Sequence, residues 1–197
     1  MNFVIFDLEY TTWDGAQERH WTGENEYKEI IEIGALKVSY PDFEIIDEFN
    51  VHIRPLKNPQ LSDYCKNLTG ITQDIIDQSK SFPEVYKQFL EFCNNCLIMS
   101  YGNDMCILAE NVLLNKTDPL NLYGKESPSF VNLKFWISQL GKGILNHNSG
   151  SLWKNIEHNR KFKHLHEHDA LNDCYSILEL LIYMHSKNHE LPLWRNK

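Results

Sequence analysis

In the opening stretch NFVIFDLEY, Asp7 and Glu9 stand two residues apart at the end of an apolar run. A strand turns residues i and i+2 to the same face, about 6–7 Å apart. Two carboxylates so placed repel, and partial burial raises the cost. Two more acids sit where elements meet. Asp104 follows the turn in SYGND, where it also reads as a helix N-cap. Asp173 lies in HDALNDCYSILELL, whose apolar positions Ala170, Leu171, Cys174, Ile177, Leu178 and Leu181 mark the buried stripe of a helix. At about 100° per residue, Asp173 falls about 40° outside the stripe and Asp169 about 80°. Asp173 is expected to face the sheet margin, and Asp169 to cap the helix or favour its dipole.

Convergence of Asp7, Glu9, Asp104 and Asp173 at one sheet edge is costly unless divalent cations neutralise it. Carboxylate oxygens suit Mg²⁺ or Mn²⁺ better than zinc. Two such ions about 4 Å apart would activate a water and stabilise the leaving oxygen of a phosphodiester. The reaction also needs a proton acceptor working near neutral pH, and histidine fits. His168 lies five residues before Asp173. His164 and His166 compete, and His164 with Asp169 repeats the same offset. The stripe argument prefers His168 with Asp173.

The elements around these acids read as an α/β domain. Strands are expected over 3–9, 29–40, 43–55 and 96–102, with a fifth in SFVNL. Helices are expected near 61–67, 72–78 with Thr72 as N-cap, 82–93 entered through Pro83, 104–115, 134–140, 151–159 and 169–186. Three strands with short connections, followed by strand–helix alternation, imply a mixed central sheet of about five strands flanked by helices. Nothing divides the 197 residues, so residues 1–197 are expected to form one domain. No window approaches about 18 apolar residues, and no basic segment precedes the first apolar run, so neither a membrane span nor a signal peptide is expected. The odd count of five cysteines fits free thiols in a reducing cytoplasm, and Cys93-x-x-Cys96, lacking a second pair, fits the core. Oligomeric state is not readable from the sequence.

FDLE ending a first strand, Asp104 after the YG turn and HDALNDC opening a long helix together resemble the DEDDh 3′→5′ exonucleases. EIIEIGALKV and PQLSDYCKNLTGITQDIID resemble the second strand and helical connection of the subgroup containing the histone-mRNA and RNA-interference 3′ exonucleases and their bacterial relatives. The likeness runs from residue 3 to about 184. It implies a ribonuclease H-like fold and release of nucleoside 5′-monophosphates from single-stranded 3′ ends of RNA or DNA. It also implies two Mg²⁺ or Mn²⁺ ions held by Asp7, Glu9, Asp104 and Asp173, with His168 as general base. Tyr10 departs from the pattern, since many relatives carry a small residue there.

Tyr10, Thr11, Trp13, Lys163 and His164 are the expected substrate contacts. Trp13 and Trp21 lie in the polar 10–28 loop, where they could stack on bases or pack over the sheet edge. Lys154, Arg160, Lys161 and Lys163 precede the last helix and suit phosphate contact or a solvated face, while Arg54 reads as structural. The net charge of −8 argues against tight bulk electrostatic binding. It leaves open a hydrolase of very short oligonucleotides, or a non-catalytic nucleic-acid-binding module of the same fold.

Overall fold

The apolar run at the N-terminus becomes strand β1 (Asn2–Tyr10), which lies inside the sheet with neighbours on both sides. Residues 1–94, 96–117, 130–138, 147–156 and 167–192 are described in this computed structural model. β1 pairs antiparallel with β2 (Ile30–Ser39), which pairs antiparallel with β3 (Ile45–Arg54). On its other side β1 runs parallel to β5 (Leu97–Ser100), and β5 runs parallel to β6 (Phe130–Asn132). A two-residue β4 (Lys80–Ser81) adds to the end of β3, giving the order β4-β3-β2-β1-β5-β6. Among the described residues the sheet thus has six strands where about five were expected. The extra one is too short to carry any periodicity.

Alternation along the strands builds a core on each face. Phe3, Ile5, Leu36 and Val38 pack under the long helix α6 (Ala170–Ser186), against Cys174, Ile177, Leu178 and Leu181. Val4, Phe6, Ile33 and Ala35 point the other way, onto helices α3 (Phe82–Phe92) and α4 (Asp104–Leu114). The same parity that puts Phe3 and Ile5 beneath α6 turns Asp7 and Glu9 toward that helix. Cys93 and Cys96 belong to the second core, and all five cysteines are free.

Local signals set the helix ends. Ser62 caps α1 (Asp63–Thr69) and Thr72 caps α2 (Gln73–Asp77), each accepting a backbone N–H through its side chain. Ser81 and Glu84 form a capping box at α3, with Pro83 in its first turn. A short α5 (Leu133–Ser138) follows β6, and where a helix over 151–159 was expected there is a 3-10 turn over Ser149–Asn155, with 157–159 outside the described residues. Asp169 caps α6 by accepting the Asn172 N–H at 2.9 Å. No helix among the described residues is long and apolar enough to cross a membrane.

α6 comes unusually close to the sheet at Gly34. A Cβ there would lie 2.3 Å from the carbonyl carbon of Ala170 and the nitrogen of Leu171, so only glycine fits. The Cys174 thiol donates to the Gly34 carbonyl at 3.2 Å. Gly34 pairs with Asp7 across the β1–β2 ladder. The first turns of α6 are thereby pressed against the acidic end of β1.

Candidate active site

Asp7 and Glu9 from β1 and Asp173 from the first turn of α6 offer carboxylate oxygens that all lie within 4.8 Å of one another. Asp104 opens α4, directly after β5, the strand parallel to β1. All four acids are at most 7% exposed. Burial is the main force pushing their pKa values up, and mutual repulsion adds to it. Asp104 and Asp173 rise to about 7. Asp7 rises well above the carboxylate range by burial first, then by the charges of Asp104, Asp173 and Glu9. Glu9 rises likewise, with Asp173 the strongest charged neighbour.

Oδ2 of Asp104 and Oδ1 of Asp173 are buried with no hydrogen-bond partner among the described residues. A buried acceptor left unpaired costs about 1–3 kcal/mol, more when charged. Hard anionic oxygens, clustered and unpartnered, fit a divalent cation of the magnesium or manganese type. The residues present therefore suit the metal that their chemistry calls for.

Two residues unremarked in the sequence shape the same place. The Ser149 hydroxyl donates to Asp173 Oδ2 at 3.0 Å, leaving Oδ1 clear. A Cβ on Gly150 would lie 2.3 Å from Asp173 Oδ1, so glycine makes room for the carboxylate. NSGS reads only as turn residues, and nothing local ties it to an acid more than twenty positions away. Glu32 is the third such residue, buried in β2 opposite Glu9. Its signal was an acid in the middle of the apolar run IIEIGAL.

His168 occupies the turn immediately before α6, partly exposed, with a left-handed φ of 61°. Tyr10 is half-buried beside Trp21, ring centroids 5.7 Å apart, and burial followed by the charges of Asp104, Glu9 and Asp7 raises its phenol pKa. Thr11 turns inward instead: its hydroxyl donates to the Tyr27 carbonyl at 2.5 Å and accepts the Glu29 N–H at 2.9 Å. Its donor is thus used within the fold, and the residue is 1% exposed. Trp21 donates its ring N–H to the Thr11 carbonyl at 3.3 Å and carries Lys28 Nζ 5.6 Å from its ring centre, so it packs over the sheet edge. Trp13 is partly exposed at the start of the same loop. Lys154 pairs with Glu167. Arg160, Lys161, Lys163, His164 and His166 lie outside the described residues.

Comparison with known proteins agrees with this geometry. Residues 4–181 match the model of the RNase_T family, described as "Exonuclease". The 3′-5′ exonuclease eri1 of Schizosaccharomyces pombe is 36% identical over 121 residues, 60% of this chain and 38% of that protein. Probable 3′-5′ exonuclease KapD of Bacillus subtilis is 32% identical over 117 residues, 58% of this chain and 54% of that protein. The matches therefore span about half or less of the length of these relatives. The solved nuclease domain of 3′hExo, a DEDDh family member bound to rAMP, superposes with a TM-score of 0.79 at 24% identity, covering 100% of this chain and 97% of that one. The chain belongs to the RNase_T family of exonucleases, and its fold is that of the solved DEDDh nuclease domain.

Proposed function

We propose that residues 1–197 form one exonuclease domain that removes nucleotides from the 3′ end of single-stranded RNA or DNA, using two Mg²⁺ or Mn²⁺ ions. The observation that carries this reading is the buried set Asp7, Glu9 and Asp173, oxygens within 4.8 Å, in a chain of this family. Asp7, Glu9, Asp104 and Asp173 would hold the metal. Bound divalent cations supply charge neutralisation and polarise the scissile phosphate and the attacking water. His168 accepts a proton from that water on an imidazole nitrogen. The water oxygen bonds to phosphorus and the P–O3′ bond breaks. The 3′ oxygen takes a proton, leaving a shortened strand and a nucleoside 5′-monophosphate.

Tyr10 and Trp13 follow Glu9 in sequence and offer aromatic surface to the terminal nucleotide, while Lys163 and His164 serve the phosphate backbone. Thr11 contributes by holding the start of the loop in place. The free thiols support work in a reducing cytoplasm.

The test is degradation of 5′-labelled RNA, DNA and hairpin oligonucleotides with and without Mg²⁺ or Mn²⁺. Stepwise shortening that requires metal is expected, and its absence on all substrates would favour a binding module. The net charge of −8 favours a second reading, a hydrolase of very short oligonucleotides. Faster cleavage of dinucleotides than of long strands would select it.

A further inference from the structure

The order β1-β5-β6 sets a third parallel strand end beside the carboxylates. Ile5 pairs with Met99 and Ser100 with Asn132, so the ladders carried forward put Asp7, Tyr101 and Leu133 in one row. Tyr101 and Leu133 lie in the core under α6, on the face to which Asp7 turns. Two strand spacings separate β6 from β1, about 10 Å. Leu133 opens α5, and the next two residues, Lys134 and Phe135, are exposed, the phenylalanine to 72%.

Asn132 ties the start of α5 to the turn that carries Asp104. Its Nδ2 donates to the Gly102 carbonyl at 2.6 Å, and its Oδ1 accepts the Lys134 N–H at 3.1 Å. The Lys134 ammonium lies 5.5 Å from the centre of the Tyr101 ring. A ring face orients an ammonium without cancelling its charge. Other lysines around the site are matched by acids: Lys28 lies 3.5 Å from Glu110, and Lys154 pairs with Glu167. Among the described residues Lys134 has no carboxylate partner. In a chain of net charge −8, a cation left unneutralised here meets what a polyanionic strand requires.

The geometry points to Lys134 and Phe135 as a seat for the strand that enters the site. The ammonium contacts a backbone phosphate upstream of the scissile bond, and the ring stacks on a neighbouring base. This rests on the exonuclease reading above and favours its polymer substrate. The single phosphate of a dinucleotide belongs at the carboxylates, so only a longer strand reaches Lys134.

Charge and ring can be separated in the full chain. Lys134→Gln removes the charge, Lys134→Arg keeps it, and Phe135→Ala removes the ring. Both positions are exposed, so Tm should stay within about 2 °C. Binding of a fluorescein-labelled single strand of about ten nucleotides is read by anisotropy in Ca²⁺, over about 50–200 mM KCl. Lys134→Gln should weaken binding about 3–10-fold and flatten the slope of log affinity against log salt by about 0.7, the share of one phosphate on a single strand. Lys134→Arg should keep the wild-type slope. Phe135→Ala should weaken binding about fivefold or more with the slope unchanged, since stacking releases no counterion. With Mn²⁺, KM for the same strand should rise by these factors in Lys134→Gln and Phe135→Ala, and KM for a dinucleotide by less than about twofold.

An unchanged salt slope in Lys134→Gln, or equal rises in KM for dinucleotide and long strand, would overturn the phosphate contact. Wild-type binding by Phe135→Ala would overturn the stack. Protein that binds the strand through Lys134 yet cleaves nothing with Mn²⁺ would instead sink the exonuclease reading, so the two failures are distinguishable.

Discussion

Asp7 has a burden that its neighbours make heavier, and one atom changes it. Its carboxylate is buried among Asp104, Asp173 and Glu9, and burial, then these charges, raises its pKa. Asp7→Asn keeps the shape and removes the charge. Activity should fall by well over about 100-fold, beyond the loss seen when an outer-shell partner is removed, and Mn²⁺ should bind more weakly. Without metal the same variant should melt at a higher temperature at neutral pH, because a buried like-charge contact has gone. Intact activity in Asp7→Asn would end the proposed mechanism. His168→Ala makes a contrasting case. Turnover should drop by about 10²–10⁴-fold, the usual worth of a general base, while calorimetry finds Mn²⁺ affinity nearly unchanged. An equal collapse of both would make His168 a ligand instead.

The 3-10 turn over Ser149–Asn155 does for Asp173 what the strand ladder does for Asp7 and Glu9. A methyl group at residue 150 would meet Asp173 Oδ1 at 2.3 Å, so either the carboxylate or the turn must move. Gly150→Ala is expected to lower kcat and metal affinity by about 10-fold or more, with a loss of stability of about 1–3 kcal/mol from overpacking. Wild-type kinetics in that variant would show that the turn yields freely and does not shape the site. Gly150 could not be picked out beforehand, because its reason is a contact made across more than twenty residues. β1 was legible for the opposite reason: strand parity alone put Asp7 and Glu9 on the α6 side. The helical stripe likewise separated Asp173 from its cap Asp169. The inward turn of Thr11 to Tyr27 and Glu29 was not legible, because a hydroxyl next to two acids gives no sign of such partners. β4, two residues long, exists only because β3 offers its edge.

Taken whole, the chain buries Asp7, Glu9, Asp104 and Asp173 at one end of its sheet, and this links its stability to pH and to metal together. Burial pushes the Asp104 and Asp173 carboxyls up to about 7 in the folded chain, well above an ordinary aspartate. The folded state therefore holds more protons than the unfolded state between those values. Stability contributed by the protonated pair is complete in acid and is lost as pH climbs through about 7. Metal-free protein should accordingly lose several degrees of Tm between about pH 5 and about pH 8. Divalent cations replace the protons, so binding should release protons and tighten as pH rises. Saturating Mg²⁺ or Mn²⁺ stabilises only the folded form, and by more the tighter it binds, so it should flatten or reverse the slope. Scanning calorimetry at a series of pH values, with chelator or with metal, tests both arms. A metal-free Tm that rises across this window would mean that the carboxylates are already charged and compensated within the protein. No cation would then be needed to hold the cluster together.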